Sequence, residues 1–197
     1  MTNRQLAKTV GLLCSFYRAY PGFTRLMLRR CYAEIECRES GWDHYITMKT
    51  EVREELSWWR EHLKSLNGGA MKQEVQELAT SLSVNLYGDA SGTGLYLYQD
   101  QPRKTLLSQP LRKEDRNKSS TSRELLVFAN FYNSEAAKAL AGKAVTHYTD
   151  NQGTYYIVKG GSCIPEMQDL ALETFLACQK KGIVLKVKWK RRSEEEM

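Results

Sequence analysis

The period of the apolar residues changes once along this 197-residue chain, near residue 82, and that change divides what each part can fold into. Before it, Leu6, Val10, Leu13, Phe16 or Tyr17, and Tyr20 recur at helical spacing until Pro21-Gly22 breaks the pattern as a turn does. A second helix is expected with Phe23, Leu26, Met27, Arg30 and Cys31 as its stripe, leaving Arg25, Arg29 and Arg38 toward solvent or phosphate. A third runs from about Thr47 to Leu66 with Val52, Leu56, Trp59, Leu63 and Leu66 on one face, and Asn67-Gly68-Gly69 stops it. Residues 1–75 therefore read as a helical unit, and residues 82–197 as a second unit of different chemistry.

In the second unit, Ser83 to Gly88, Gly94 to Tyr98 and Thr105 to Leu107 are short β-branched or aromatic runs separated by turn residues, the pattern of an antiparallel meander. A helix is expected from near Ser122, a strand over Ala144 to Tyr148, a short helix over Gln152 to Val158, and a long helix over Pro165 to Lys181. Leu170, Phe175, Leu176 and Cys178 are among the apolar positions of that long helix, and a last strand spans Ile183 to Trp189. The order βββ-α-β-α-α-β is that of the ribonuclease H fold: an α/β, five-stranded mixed sheet flanked by helices. The strand leading to Asp150 should lie parallel to the strand bearing Asp89, which sets the two acids side by side.

Three acids carry the chemistry. Asp89 follows Val-Asn-Leu-Tyr-Gly, Glu124 sits in Ser-Ser-Thr-Ser-Arg-Glu-Leu-Leu, and Asp150 ends His-Tyr-Thr-Asp. Carboxylates brought together repel and lose solvation, which is tolerable chiefly where divalent cations neutralise them. Each acid also has a plainer use. Asp89-Ala-Ser-Gly is a good turn sequence; Glu124 stands at capping-box spacing from Thr121, although it shares a face with Phe128 and Phe131; and Asp150-Asn151 can cap the following helix. Three separate structural uses in this one order are less probable together than one metal site.

The net charge of +6 and pI of about 9.0 suit a polyanionic partner without demanding one. Five cysteines, an odd number with no Cys-x-x-Cys pair, fit a reduced intracellular setting, cytoplasm or nucleus, over a secreted disulfide scaffold. No apolar run approaches the roughly 18 residues that cross a bilayer, so no membrane partner is expected, and neither is a small-molecule cofactor. His147 reads as a half-buried structural histidine, and Trp58-Trp59 as packing rather than base stacking. Lys159-Gly160-Gly161-Ser162 suits either a phosphate or a helix stop. The basic run Lys186, Lys188, Lys190, Arg191 and Arg192 is either a charged, soluble sheet edge or a surface for nucleic-acid backbone, with Lys188, Arg191 and Arg192 as the candidate contacts.

Gly-Asp-Ala-Ser, Ser-Ser-Thr-Ser-Arg-Glu-Leu-Leu, Thr-Asp-Asn-Gln, Lys-Gly-Gly-Ser and Ala-Leu-Glu-Thr-Phe-Leu-Ala-Cys, in that order, resemble the ribonuclease H domain of tyrosine-recombinase retrotransposons of the DIRS/Ngaro group. Upstream, Gly-Trp-Asp at 41–43 and Glu-Leu-Ser-Trp-Trp-Arg-Glu-His-Leu at 55–63 resemble the thumb or connection between polymerase and ribonuclease H in the same polyproteins. The resemblance implies a reverse transcriptase-associated ribonuclease H that hydrolyses the RNA strand of RNA·DNA hybrids. It implies two Mg2+ ions about 4 Å apart, with Mn2+ able to substitute, held by Asp89, Glu124 and Asp150, and the fingers and palm of the polymerase as partners. The family pattern continues after its last strand with Pro, Asn and a fourth acid in Ala-Asp; here Trp189-Lys190-Arg191-Arg192-Ser193 lacks the Pro and Asn, and the chain stops about where that acid falls. Impaired catalysis by a C-terminally truncated domain is expected on that ground. The alternative reading is a non-catalytic ribonuclease H-fold module, truncated or domesticated, that binds nucleic acid or protein.

Overall fold

The structure is a computed structural model that describes residues 1–16, 23–66 and 83–191. The expected turn at Pro21-Gly22, the stop at Asn67-Gly68-Gly69, and the candidate contact Arg192 lie outside the described residues.

Five strands form one sheet in the order β3-β2-β1-β4-β5. They are β1 (Val84–Ala90), β2 (Gly94–Gln99), β3 (Lys104–Pro110), β4 (Ala144–Thr149) and β5 (Val184–Trp189). β1, β2 and β3 pair antiparallel, whereas β4 pairs parallel with both β1 and β5. This is the mixed, helix-flanked sheet of a ribonuclease H-like fold. β3 runs three residues further than its β-branched core predicts, because its polar end still pairs with Gly94 to Tyr96.

Helix α4 (Ser120–Asn133) lies between β3 and β4, and α5 (Gln152–Gly160) and α6 (Pro165–Lys181) lie between β4 and β5. All three contribute to one buried cluster on a single face of the sheet, with Leu86, Leu97, Val145 and Val187 from the strands and Leu125 and Phe128 from α4. Burying a phenylalanine or leucine there stabilises the fold by about 1.5–3 kcal/mol each. Leu176, placed by sequence among the apolar positions of α6, points outward and is exposed. Its neighbours Ala171, Leu172, Ala177 and Cys178 fill the buried face instead.

The N-terminal helices α1 (Asn3–Ser15), α2 (Arg29–Glu36) and α3 (Thr50–Leu66) build a second cluster from Leu6, Val10, Leu26, Cys31, Val52 and Trp59, closed by Ala171 and Leu172 of α6. Leu26 to Leu28 form a 3-10 turn rather than the start of one continuous helix. Gln168 ties the two clusters together: buried to 1% exposure, its amide donates to the Leu26 carbonyl at 2.9 Å and accepts from the Ser162 amide at 2.9 Å. Arg30, placed by sequence on the apolar stripe, is an ion-pair residue instead, contacting Glu54 and Asp169. Trp59 is 2% exposed and donates its indole N–H to the Met27 carbonyl, so it packs as expected.

Candidate metal centre

Register places two of the acids. Tyr87 pairs with Tyr148 across the parallel strands, so Asp89 and Asp150, each two residues further on, leave the same end of the sheet together. Asp89 belongs to the strand, opposite Tyr96, and the tight turn after it is held by Ser91, whose hydroxyl accepts from the Thr93 and Gly94 amides. The turn reading for Asp89 therefore gives way to a strand position with its carboxylate exposed.

The third acid comes from a helix. Ser119, not Thr121, caps α4 by accepting from the Ser122 amide at 3.1 Å, which leaves Glu124 free of the capping-box duty. Glu124 lies on the face that also carries Phe128, and is buried at 6% exposure. Asn151 caps α5 by accepting from the Thr154 amide at 3.0 Å, so Asp150 is released from that duty as well. One carboxylate oxygen from each of Asp89, Glu124 and Asp150 lies within 4.8 Å of the others. Among the described residues this is the group of acids, cysteines or histidines that meets so closely.

The first turns of α4 and α5 approach closely: a Cβ at Gly153 would stand 3.0 Å from the Thr121 hydroxyl and 3.1 Å from Asn151 Oδ1. Burial, opposed by hydrogen bonds from Thr149 and Asn151 and reinforced by the charges of Asp150 and Asp89, raises the Glu124 carboxyl to about 7. Such a group carries a proton near neutrality until a cation replaces it.

Thr149 was not singled out by the sequence. It is 2% exposed and donates its hydroxyl to Glu124 Oε2 at 2.5 Å, while accepting from the Asn151 amide at 3.2 Å. The signal was its place just before Asp150 on a strand whose inward face is that of Val145 and His147. Trp189 donates its indole N–H to the Asp150 carbonyl at 3.0 Å, fixing the chain beside the acid. His147 is fully buried rather than half-buried, stacked on Phe128 with ring centroids 3.7 Å apart, and burial lowers its pKa to about 3. The Gly160-Gly161 pair is a helix stop: Gly161 adopts φ 78°, and the neighbouring Ser162 amide is taken by Gln168 rather than left for a phosphate.

Of the basic candidates, Lys188 and Arg191 part company. Lys188 lies over the Tyr148 ring on the sheet face away from α4, whereas Arg191 lies over the Trp189 ring beside Asp150.

Fold and site together define a ribonuclease H-like sheet with an acidic cluster at the C-terminal ends of two parallel central strands. RNase H1 from the halophilic archaeon Halobacterium salinarum is similar to it at 11% identity over 58% of this chain and 89% of that one, with a TM-score of 0.45. The N-terminal RNase H domain of rv2228c from Mycobacterium tuberculosis is similar at 12% identity over 58% and 87%, with a TM-score of 0.41. The prototype foamy virus protease-reverse transcriptase is similar at 17% identity over 93% of this chain and 24% of that one, with a TM-score of 0.38. No protein-family model matches the chain, and no curated protein matches it in sequence.

Proposed function

We propose that this chain is a metal-dependent ribonuclease H that cuts the RNA strand of RNA·DNA hybrids, and that it belongs to the reverse transcriptase of a DIRS/Ngaro-like tyrosine-recombinase retrotransposon. The observation that carries the nuclease reading is the convergence of Asp89, Glu124 and Asp150 within 4.8 Å. The donor set fits a hard divalent ion, since it consists of carboxylate oxygens, one of them on a carboxyl that burial makes prone to protonation. Asp89, Glu124 and Asp150 would hold Mg2+, with Mn2+ as substitute. Two such ions, when bound, activate an attacking water and neutralise the leaving oxygen of a phosphodiester.

The chain's own residues do the positioning. Thr149 holds Glu124 from the protein side through its hydroxyl. Asp89 is the most exposed of the three and faces substrate. Arg191 beside Asp150, with Arg192, and Lys188 at the sheet edge supply cations for the backbone of the hybrid. Residues 1–75 serve as the thumb-like or connection-like element that joins residues 82–197 to the polymerase.

The test is cleavage of end-labelled RNA in an RNA·DNA hybrid, resolved on a denaturing gel in Mn2+ and in Mg2+. The expected result is metal-dependent RNA cleavage, slow in Mg2+, absent with double-stranded DNA, and abolished in Asp89→Asn. Hybrid binding without cleavage in either metal would favour the non-catalytic module.

A further inference from the structure

Asp150 stands where β4 has ended and α5 has not yet begun. The last rung of the parallel pair sets Thr149 opposite Trp189, and the Lys190 amide donates to the Thr149 carbonyl at 3.0 Å. One residue further, the Asp150 carbonyl accepts from the Trp189 indole N–H, also at 3.0 Å. The end of β5 therefore holds the peptide planes on both sides of the Asp150 Cα. Because a peptide unit is planar, fixing the two planes that meet at a Cα fixes the direction of its Cβ bond. Strand alternation brings the indole there: Lys188 and Lys190 lie over Tyr148 and Tyr87 on the sheet face away from α4, and Trp189 between them takes the helix face, as buried Val187 does. Arg191 lies over its ring, so the indole is not a free stacking platform.

We propose that Trp189 is a positioning residue of the acidic site: its indole N–H holds the Asp150 peptide so that the Asp150 carboxylate stays turned toward Asp89 and Glu124. Its use in catalysis rests on the nuclease reading, whereas the hold on the peptide is a property of the metal-free chain. Three carboxylates whose oxygens come within 4.8 Å of one another repel, and an acid beyond the end of its strand can relieve that repulsion by turning outward. Anchoring its peptide opposes the turn. An indole nitrogen donates one hydrogen bond and accepts none, so it anchors the carbonyl without competing with the acids for a cation. Trp42 is the natural comparison. It is 38% exposed against 37% for Trp189, and Arg38 lies over its ring at 4.0 Å, but it stands in the loop between α2 and α3, outside the sheet.

The experiment pairs nitrogen-15 NMR of the full chain, which reads each tryptophan indole N–H, with calorimetric titration of Mn2+. In chelator, the Trp189 indole proton should exchange with solvent several-fold more slowly than that of Trp42, because it is hydrogen-bonded. Trp189→Phe keeps an aromatic ring at the strand end and removes the donor. It should speed exchange at the Asn151 and Thr154 amides and weaken Mn2+ binding by about tenfold, the range of partners that orient a ligand. Trp42→Phe should leave the Mn2+ affinity unchanged. Added Mg2+ should shift the Trp189 indole signal of the unaltered chain and not that of Trp42. Trp189 exchange as fast as that of Trp42, or unaltered exchange at Asn151 in Trp189→Phe, would overturn the hold on the peptide whatever the metal does. Mn2+ affinity equal in Trp189→Phe and the unaltered chain would leave Trp189 a packing residue only. If the unaltered chain binds no Mn2+, the nuclease reading falls, and the chelator measurements alone still support or refute the fixing of the Asp150 peptide.

Discussion

At the scale of single residues, the site depends on groups that fix other groups. Gly88 is required by His147: a Cβ there would stand 2.6 Å from the imidazole Nε2 and 3.2 Å from Val127. The ring is fully buried against Phe128 and cannot retreat, so Gly88→Ala should destabilise the chain by about 1–3 kcal/mol, measured by urea denaturation. An unchanged midpoint would refute that packing account. Thr149→Val removes the hydroxyl that holds Glu124 while keeping its volume; partners of this kind typically contribute 10- to 100-fold in metal affinity. Calorimetry with Mn2+ should show at least about a tenfold loss, and equal affinity would show that Glu124 is held by other means. Glu124 also predicts a pH dependence. Its folded-state carboxyl lies near 7 against an ordinary 4.5, so between those values the folded chain keeps a proton that the unfolded chain releases. The contribution of this carboxyl to metal-free stability is therefore fully present below about 4.5 and is lost as pH rises toward 7. Melting temperatures in chelator should fall by several degrees over that window in the unaltered chain and less in Glu124→Gln. Parallel profiles would contradict the burial of this carboxyl.

At the scale of elements, buried polar groups serve as ties. Glu55 occupies a core-facing position of α3, where the spacing of Val52, Leu56 and Trp59 leaves no hint of an acid. Its two oxygens accept the Arg30 and Cys31 amides at 3.0 Å each, capping the first turn of α2 from another helix. Burial raises its pKa, and those amides oppose the rise. Glu55→Ala leaves two amides without acceptors and should cost about 2 kcal/mol or more, seen as a lowered denaturation midpoint; Glu55→Gln, which keeps an acceptor, should cost less. Equal losses would assign the effect to volume. The order of elements along the chain, the parallel pairing of β1 with β4 and the meeting of Asp89 with Asp150 were legible because alternation and turn residues are local signals. Glu55, Gln168 and Thr149 were not, since each acts on a partner far along the chain or on another element, and period alone does not reveal a buried polar contact. Leu176 shows the converse: an apolar residue at an acceptable spacing still faces out when small residues pack the interface.

At the scale of the whole molecule, the N-terminal helices and the sheet are joined through α6, which gives one side of itself to each cluster. Gln168 is the polar bolt of that joint, so Gln168→Ala should loosen the packing of α1 to α3 while leaving the acid cluster in place. Hydrogen exchange should then rise in α1, α2 and α3 but not in β1 or β4; a uniform rise would mean that the two clusters unfold as one. No helix among the described residues is long and apolar enough to cross a membrane. The nuclease reading depends on whether the three convergent carboxylates bind divalent cations, and melting in the presence and absence of Mn2+ tests that directly. A ligand that binds only the folded state raises its stability with concentration. The account predicts that millimolar Mn2+ raises the melting temperature of the unaltered chain in a saturable way, and that Asp89→Asn loses most of the gain. Equal melting with and without the metal, in both proteins, would contradict it.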